Sequence, residues 1–132
     1  WKDLEAQVAF GPRPSGSEAI ESCRKWLESE LRGMGLTTKR ETFKAQTPAG
    51  EIEFANVYAD FPAKDPKAGW ILMGSHFDTK RMTFPFVGAN DGASSTAVLL
   101  EVARVIVKGE PRDFTYRFVF FDGEEALRCR KA

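Results

Sequence analysis

The sequence predicts an α/β fold, and three observations carry that prediction. Two runs, Trp70 to Gly74 and Phe114 to Phe121, are near-continuously apolar rather than alternating, as strands covered on both faces are. Between them, Ala93 to Val107 reads as a helix that is apolar on most of its circumference, so burial on more than one side is expected. Strand, helix and strand in that order predict two neighbouring parallel strands under a covering helix, with Trp70 to Gly74 in a central position.

The remaining elements follow from local punctuation. Gly11-Pro-Arg-Pro-Ser-Gly16 is a turn, and Ser15 with Glu18 has the spacing of a capping box at a helix start. Ala19, Ile20, Cys23, Trp26, Leu27, Leu31 and Met34 recur every three or four residues, which predicts a helix with one core-facing stripe, ending near Gly33 to Gly35. Thr37 to Ala45 and Ile52 to Ala59 read as strands joined by a turn at Thr-Pro-Ala-Gly, residues 47–50. Phe61-Pro-Ala-Lys-Asp-Pro-Lys is a surface loop, and Lys108 to Asp113 turns the chain between the last helix and the last strand.

At 132 residues the prior is a single domain, and 42% hydrophobic content is enough for a packed core. Nineteen basic residues balance nineteen acidic ones, with no basic stripe, so nucleic acid is not an expected partner. The longest mostly apolar stretch, Ala97 to Val107, contains Glu101 and Arg104 and falls short of the roughly 20 residues a membrane helix needs. No signal-peptide pattern is present. Cys23 and Cys129 are expected to be free thiols, with no second histidine to activate either one.

Chemistry concentrates after the predicted strands. His76 and Asp78 follow the first apolar run, Asp91 immediately precedes the buried helix, and Glu124 and Glu125 follow the last run. In a parallel pair these positions share one rim, where ligands of open α/β sheets bind. Carboxylates crowded together repel one another unless a cation neutralises them. Zinc accepts a histidine nitrogen together with Asp and Glu oxygens, whereas magnesium favours oxygen alone. Asp78 can hold the His76 tautomer from behind. Of the two adjacent glutamates, one can bind metal while its neighbour moves protons. Asp91 would equally serve as a helix N-cap, and Glu124 and Glu125 could simply solvate a strand end.

Gly74-Ser-His76-Phe-Asp78-Thr-Lys, Phe86-Val-Gly-Ala-Asn-Asp91-Gly-Ala-Ser and Phe120-Phe-Asp-Gly-Glu124-Glu125-Ala, in this order, resemble the zinc aminopeptidase family that also contains the glutaminyl-peptide cyclotransferases. Phe10-Gly-Pro-Arg-Pro-Ser-Gly-Ser17 resembles that family's N-terminal signature. The resemblance implies a three-layer α/β/α domain with a central mixed, mostly parallel sheet, of which residues 1–132 would be the N-terminal part, incomplete at the C-terminus. It implies zinc held by Asp91 and Glu125, with His76 binding a second ion in a peptidase, so one Zn2+ in a cyclase and two in a peptidase. Glu124 corresponds to the general acid/base, and Asp78 to the carboxylate supporting His76.

His-Phe-Asp-Thr-Lys is more similar to the cyclases, and Asn90 stands where a peptidase more often has a second acid. Ser75 and Thr96 occupy positions that carry a disulfide pair in the animal secretory cyclases. The resemblance therefore implies a cyclase acting on N-terminal glutamine, then an aminopeptidase, then a non-catalytic interaction domain. It also implies peptide N-termini as partners and a secreted or periplasmic location. The family continues past the Glu-Glu motif with further metal donors, which predicts weak activity from these residues alone and self-association through an uncovered core edge.

Overall fold

The computed structural model describes residues 1–109 and 113–125. Cys129, the basic run 128–131 and the centre of the turn at 108–113 lie outside the described residues. Three helices, α1 (Lys2–Ala9), α2 (Glu18–Gly33) and α3 (Ser95–Lys108), accompany four strands, β1 (Thr38–Thr47), β2 (Gly50–Phe61), β3 (Trp70–His76) and β4 (Thr115–Phe121). None of the described helices is long and apolar enough to cross a membrane.

The cap of α2 differs from the expected one. Ser17, not Ser15, accepts the Ile20 amide at 3.2 Å, and Ser15 turns inward instead. The helix stops where Gly35 adopts φ +82°, which only glycine takes readily. The Leu36 amide then reaches Leu31 O and the Gly35 amide reaches Arg32 O, the paired bonds of a Schellman end. Ile20, Cys23, Leu27 and Leu31 form its fully buried stripe. Trp26 packs at the margin of the core, tilted against Phe10. Cys23 is a free thiol whose pKa burial pushes up to about 12, against the charges of Arg13 and Arg24.

The four strands form one sheet in the order β1-β2-β4-β3. Only β3 and β4 run parallel; β1 with β2 and β2 with β4 are antiparallel. The sheet is mixed but mostly antiparallel, which overturns the mostly parallel arrangement implied by the family resemblance. The physical reason lies in the turn at 47–50. Thr47 pairs with Gly50 across Pro48-Ala49, and a connection that short can only return the chain antiparallel. Because β2 then inserts beside β4, the expected parallel pair becomes the minority.

The helices share one core with one face of the sheet. Val57 and Ala59 of β2 and Phe118 and Phe120 of β4 meet Ile20, Leu27 and Leu31 of α2 and Leu99, Leu100 and Ala103 of α3. The opposite face, where Leu72 and Phe121 are exposed, has no helix over it among the described residues, so these form two layers rather than three. Two further expectations change with this. Strand β3 is an edge strand, not a central one, and Leu72 on it is 63% exposed. Helix α3 is bare along Val98 and Val105, at 64% and 63% exposure, rather than buried on more than one side.

Candidate active site

Parallel pairing of β3 and β4 brings their carboxyl ends together. His76 is in register with Phe121, and the Phe77 amide donates to Phe121 O at 3.1 Å just beyond the last pair. Phe77 is fully buried in the core, so His76 and Asp78 on either side of it are turned away from the core. Asp91 arrives from the other direction, in an irregular helical turn, Ala89–Ser94, ahead of α3. Its own backbone is extended (φ -88°, ψ 108°), and Gly92 beside it sits at φ +86°. A Cβ at Gly92 would stand 3.0 Å from Asp78 O and 3.1 Å from Cε1 of His76. Glycine is therefore required twice there, by conformation and by the imidazole packed against it.

The geometry centres on His76. Its Nδ1 faces Asp78 Oδ1 at 3.3 Å, and its Nε2 faces Asp91 Oδ1, also at 3.3 Å. The other oxygen of Asp78 accepts the Glu125 amide at 3.0 Å, which links the two strand ends. Asp78 is 1% exposed. Burial raises its pKa and the charge of Asp122 adds to this, while the Glu125 amide and His76 oppose it. Glu125 is also raised, first by burial and then by a carboxyl–carboxylate hydrogen bond with Asp91 and by the charge of Asp91; Lys80, with Nζ 4.0 Å from Glu125 Oε2, acts the other way.

The structure thus brings together His76, Asp78, Asp91 and Glu125. Glu124 lies next in the chain but is exposed, with no hydrogen bond or ion pair to those four among the described residues. Imidazole nitrogen and carboxylate oxygen are the donor types zinc takes. Asp91 is common to the His76 and Glu125 contacts, yet among the described residues no group of three or more His, Cys, Asp or Glu is arranged as a metal-holding cluster. The donor chemistry fits zinc, and a closed shell of three donors is not formed.

Residues that the sequence did not single out hold this rim in place. Asp122, whose side chain is fully buried, accepts from Ser15 Oγ at 2.6 Å, from the Ala55 amide at 2.9 Å and from Arg24, and its own amide donates to Asn56 Oδ1 at 3.0 Å. It ties the start of the Glu124-Glu125 segment to α2, β2 and the N-terminal turn. Gly123 follows at φ +84°, lying so close to the Phe54 ring that a Cβ would come within 2.6 Å. Arg13, fully buried, grips the backbone around Asp78. The one hint in the sequence was a charged residue between two prolines in an otherwise small-residue turn.

A mixed α/β sheet thus gathers His76, Asp78, Asp91 and Glu125 at the ends of its parallel strand pair. Residues 56–128 match the model of peptidase family M28, and the chain belongs to that family. It falls in the glutaminyl-cyclotransferase-like branch. It is similar to a glutaminyl-peptide cyclotransferase-like protein of Bos taurus, 35% identical over 128 residues that take in 88% of this chain and 33% of that protein. Among solved structures it is similar to a glutaminyl cyclase of Porphyromonas gingivalis (TM-score 0.86, 29% identity, 99% of this chain and 48% of that one). It is equally similar to a Zn-dependent exopeptidase from Parabacteroides distasonis (TM-score 0.87, 28% identity, 99% and 48%). The chain spans about a third of the length of the curated relatives it matches.

Proposed function

We propose that this chain is the N-terminal part of a single zinc-dependent catalytic domain that converts the N-terminal glutamine of peptides to pyroglutamate with release of ammonia. The observation that supports the reading best is the position of Asp91, in contact with both His76 and Glu125 at the ends of a parallel strand pair, with Asn90 rather than a second acid beside it. Solved relatives named as glutaminyl cyclases support the same branch. Asp91 and Glu125 would hold one zinc, and His76, steadied by Asp78, would hold a second ion only in a peptidase. When bound, zinc supplies a positive charge to polarise the side-chain amide carbonyl of glutamine.

The chain's own residues do the rest. Glu124, exposed and uncommitted to the four residues around it, accepts the proton of the substrate α-amine as that nitrogen attacks the side-chain amide carbon. It then returns the proton to the departing nitrogen, so that ammonia leaves and no water is consumed. Asp78 fixes the imidazole by facing Nδ1, and its second oxygen fixes Glu125 through the backbone amide. A secreted or periplasmic location goes with this reading. So does self-association along the open edge of β3, whose seven residues include no proline and no Asp, Glu, Lys or Arg.

A second reading, hydrolysis of the first peptide bond, is favoured by the 3.3 Å approach of His76 Nε2 to Asp91, which would let His76 join the aspartate as a metal donor, and by the similarity to an exopeptidase. Incubating a full-length, zinc-loaded version of the protein with a Gln-initiated peptide separates the two. Ammonia with an otherwise intact peptide supports cyclisation, and free glutamine supports hydrolysis. Neither product, together with no zinc binding, leaves a non-catalytic interaction domain.

A further inference from the structure

Arg13 has no part in the chemistry above, yet it is fully buried, and its hydrogen bonds converge on the loops that carry the site. Its Nε donates to Phe77 O at 3.3 Å. Its Nη1 donates to Gln7 O and Gly11 O, both at 2.9 Å, and to Val87 O at 3.1 Å. Its main chain pairs with Thr79 in both directions: the Arg13 amide donates to Thr79 Oγ1 at 2.8 Å, and the Thr79 amide donates to Arg13 O at 3.1 Å. Both neighbours of Asp78 are therefore tied to one residue, and Asp78 is suspended between them. Val87 directly precedes Gly88, whose φ of +55° opens the turn bearing Asp91.

The sequence explains why this residue can act as a brace. Pro14 restricts Arg13 to extended backbone, and Pro12 fixes its own φ, so the segment meets residue 79 as a short, stiff strand-like piece. A buried guanidinium is costly unless its donors are used. Here Nε and Nη1 are spent on main-chain carbonyls of three separate segments rather than on one carboxylate, while Nη2 is buried without a partner, an arrangement that fixes backbone positions instead of neutralising charge.

We propose that Arg13 is a positioning residue that holds Asp78 against His76 and so sets the orientation of the imidazole. The proposal rests on the role of Asp78 given above, and its test reads the imidazole directly rather than turnover. His76 is the only histidine in the chain, so the imidazole nitrogen and proton signals of the 132-residue protein come from this site alone. In the metal-free protein the Nδ1-bound proton facing Asp78 should appear as a protected downfield resonance, and it should vanish in Asp78→Asn.

In Arg13→Lys the ammonium can still reach the Gln7, Gly11 and Val87 carbonyls, so the fold should survive by far-UV circular dichroism, but the tie to Phe77 O is lost. The expected result is loss of the protected resonance and nitrogen shifts moving toward those of Asp78→Asn. A folded Arg13→Lys protein with the wild-type imidazole spectrum would overturn the proposal. If Arg13→Lys fails to fold, Thr79→Val removes only the acceptor for the Arg13 amide, and the same two outcomes decide. Absence of the protected resonance in the wild type would sink the Asp78 role itself and is distinguishable from either result.

Discussion

Replacing Asp122 by asparagine should be among the most damaging single-atom changes available in this chain. The Asp122 side chain is fully buried and faces Arg24, itself 7% exposed, while also accepting from Ser15 and the Ala55 amide. An asparagine can keep its oxygen toward Arg24 and the Ala55 amide and turn its NH2 to Ser15 Oγ, which can rotate to accept, so the loss is the negative charge facing the buried guanidinium. Arg24 would keep only Glu21 as an anionic partner, at 3.1 Å and partly in solvent. Breaking a buried pair from one side costs about 3–5 kcal/mol, and the surviving Glu21 contact places this case near about 3. With an unfolding entropy of about 2.1 cal/mol/K per residue, a 132-residue chain should lose about 10 °C in Tm. Circular dichroism melts of Asp122→Asn, Arg24→Met and the double variant provide the assay. The double variant should be clearly less destabilised than the sum of the singles, because it leaves no buried charge alone. A drop below about 3 °C for Asp122→Asn, or strict additivity, would refute the reasoning.

Gly92→Ala should destabilise the protein by about 1–3 kcal/mol from backbone strain alone, read in urea unfolding. It should also displace His76, whose Cε1 lies 3.1 Å from the added carbon; an unchanged imidazole spectrum would contradict that packing. For Glu125, burial and the Asp91 contact raise the folded-state pKa above the ordinary 4.5. The metal-free native state then binds more protons than the unfolded chain, so stability is fullest below about pH 4 and falls as pH rises through the folded value. Glu125→Gln should flatten that fall and melt higher than the wild type at neutral pH without zinc, and zinc should stabilise the wild type more than the variant. Leu72→Lys places a charge on the open edge strand. Sedimentation equilibrium should show concentration-dependent association of the wild type and a monomer for the variant.

What the sequence determined by itself was local or repeated along the chain. The stripe of Ile20, Cys23, Leu27 and Leu31, the glycine stop at Gly35 and the unbroken apolar β3 and β4 are written in consecutive residues, because helix and strand periods and turn conformations act over only a few positions. The convergence of His76, Asp78, Asp91 and Glu125 was legible for the same reason, since each sits at the end of an element whose direction the β3-α3-β4 order fixes. Tertiary structure decided everything that depends on which distant segments become neighbours. Insertion of β2 beside β4 made the sheet mostly antiparallel, and no local pattern encodes a choice among partner strands. It also turned Ser15 from a predicted cap into a partner of Asp122 and drew Arg13 under the Asp78 loop. A buried polar side chain must find its hydrogen bonds wherever the fold supplies them, and those partners lie 64 to 107 residues away along the chain.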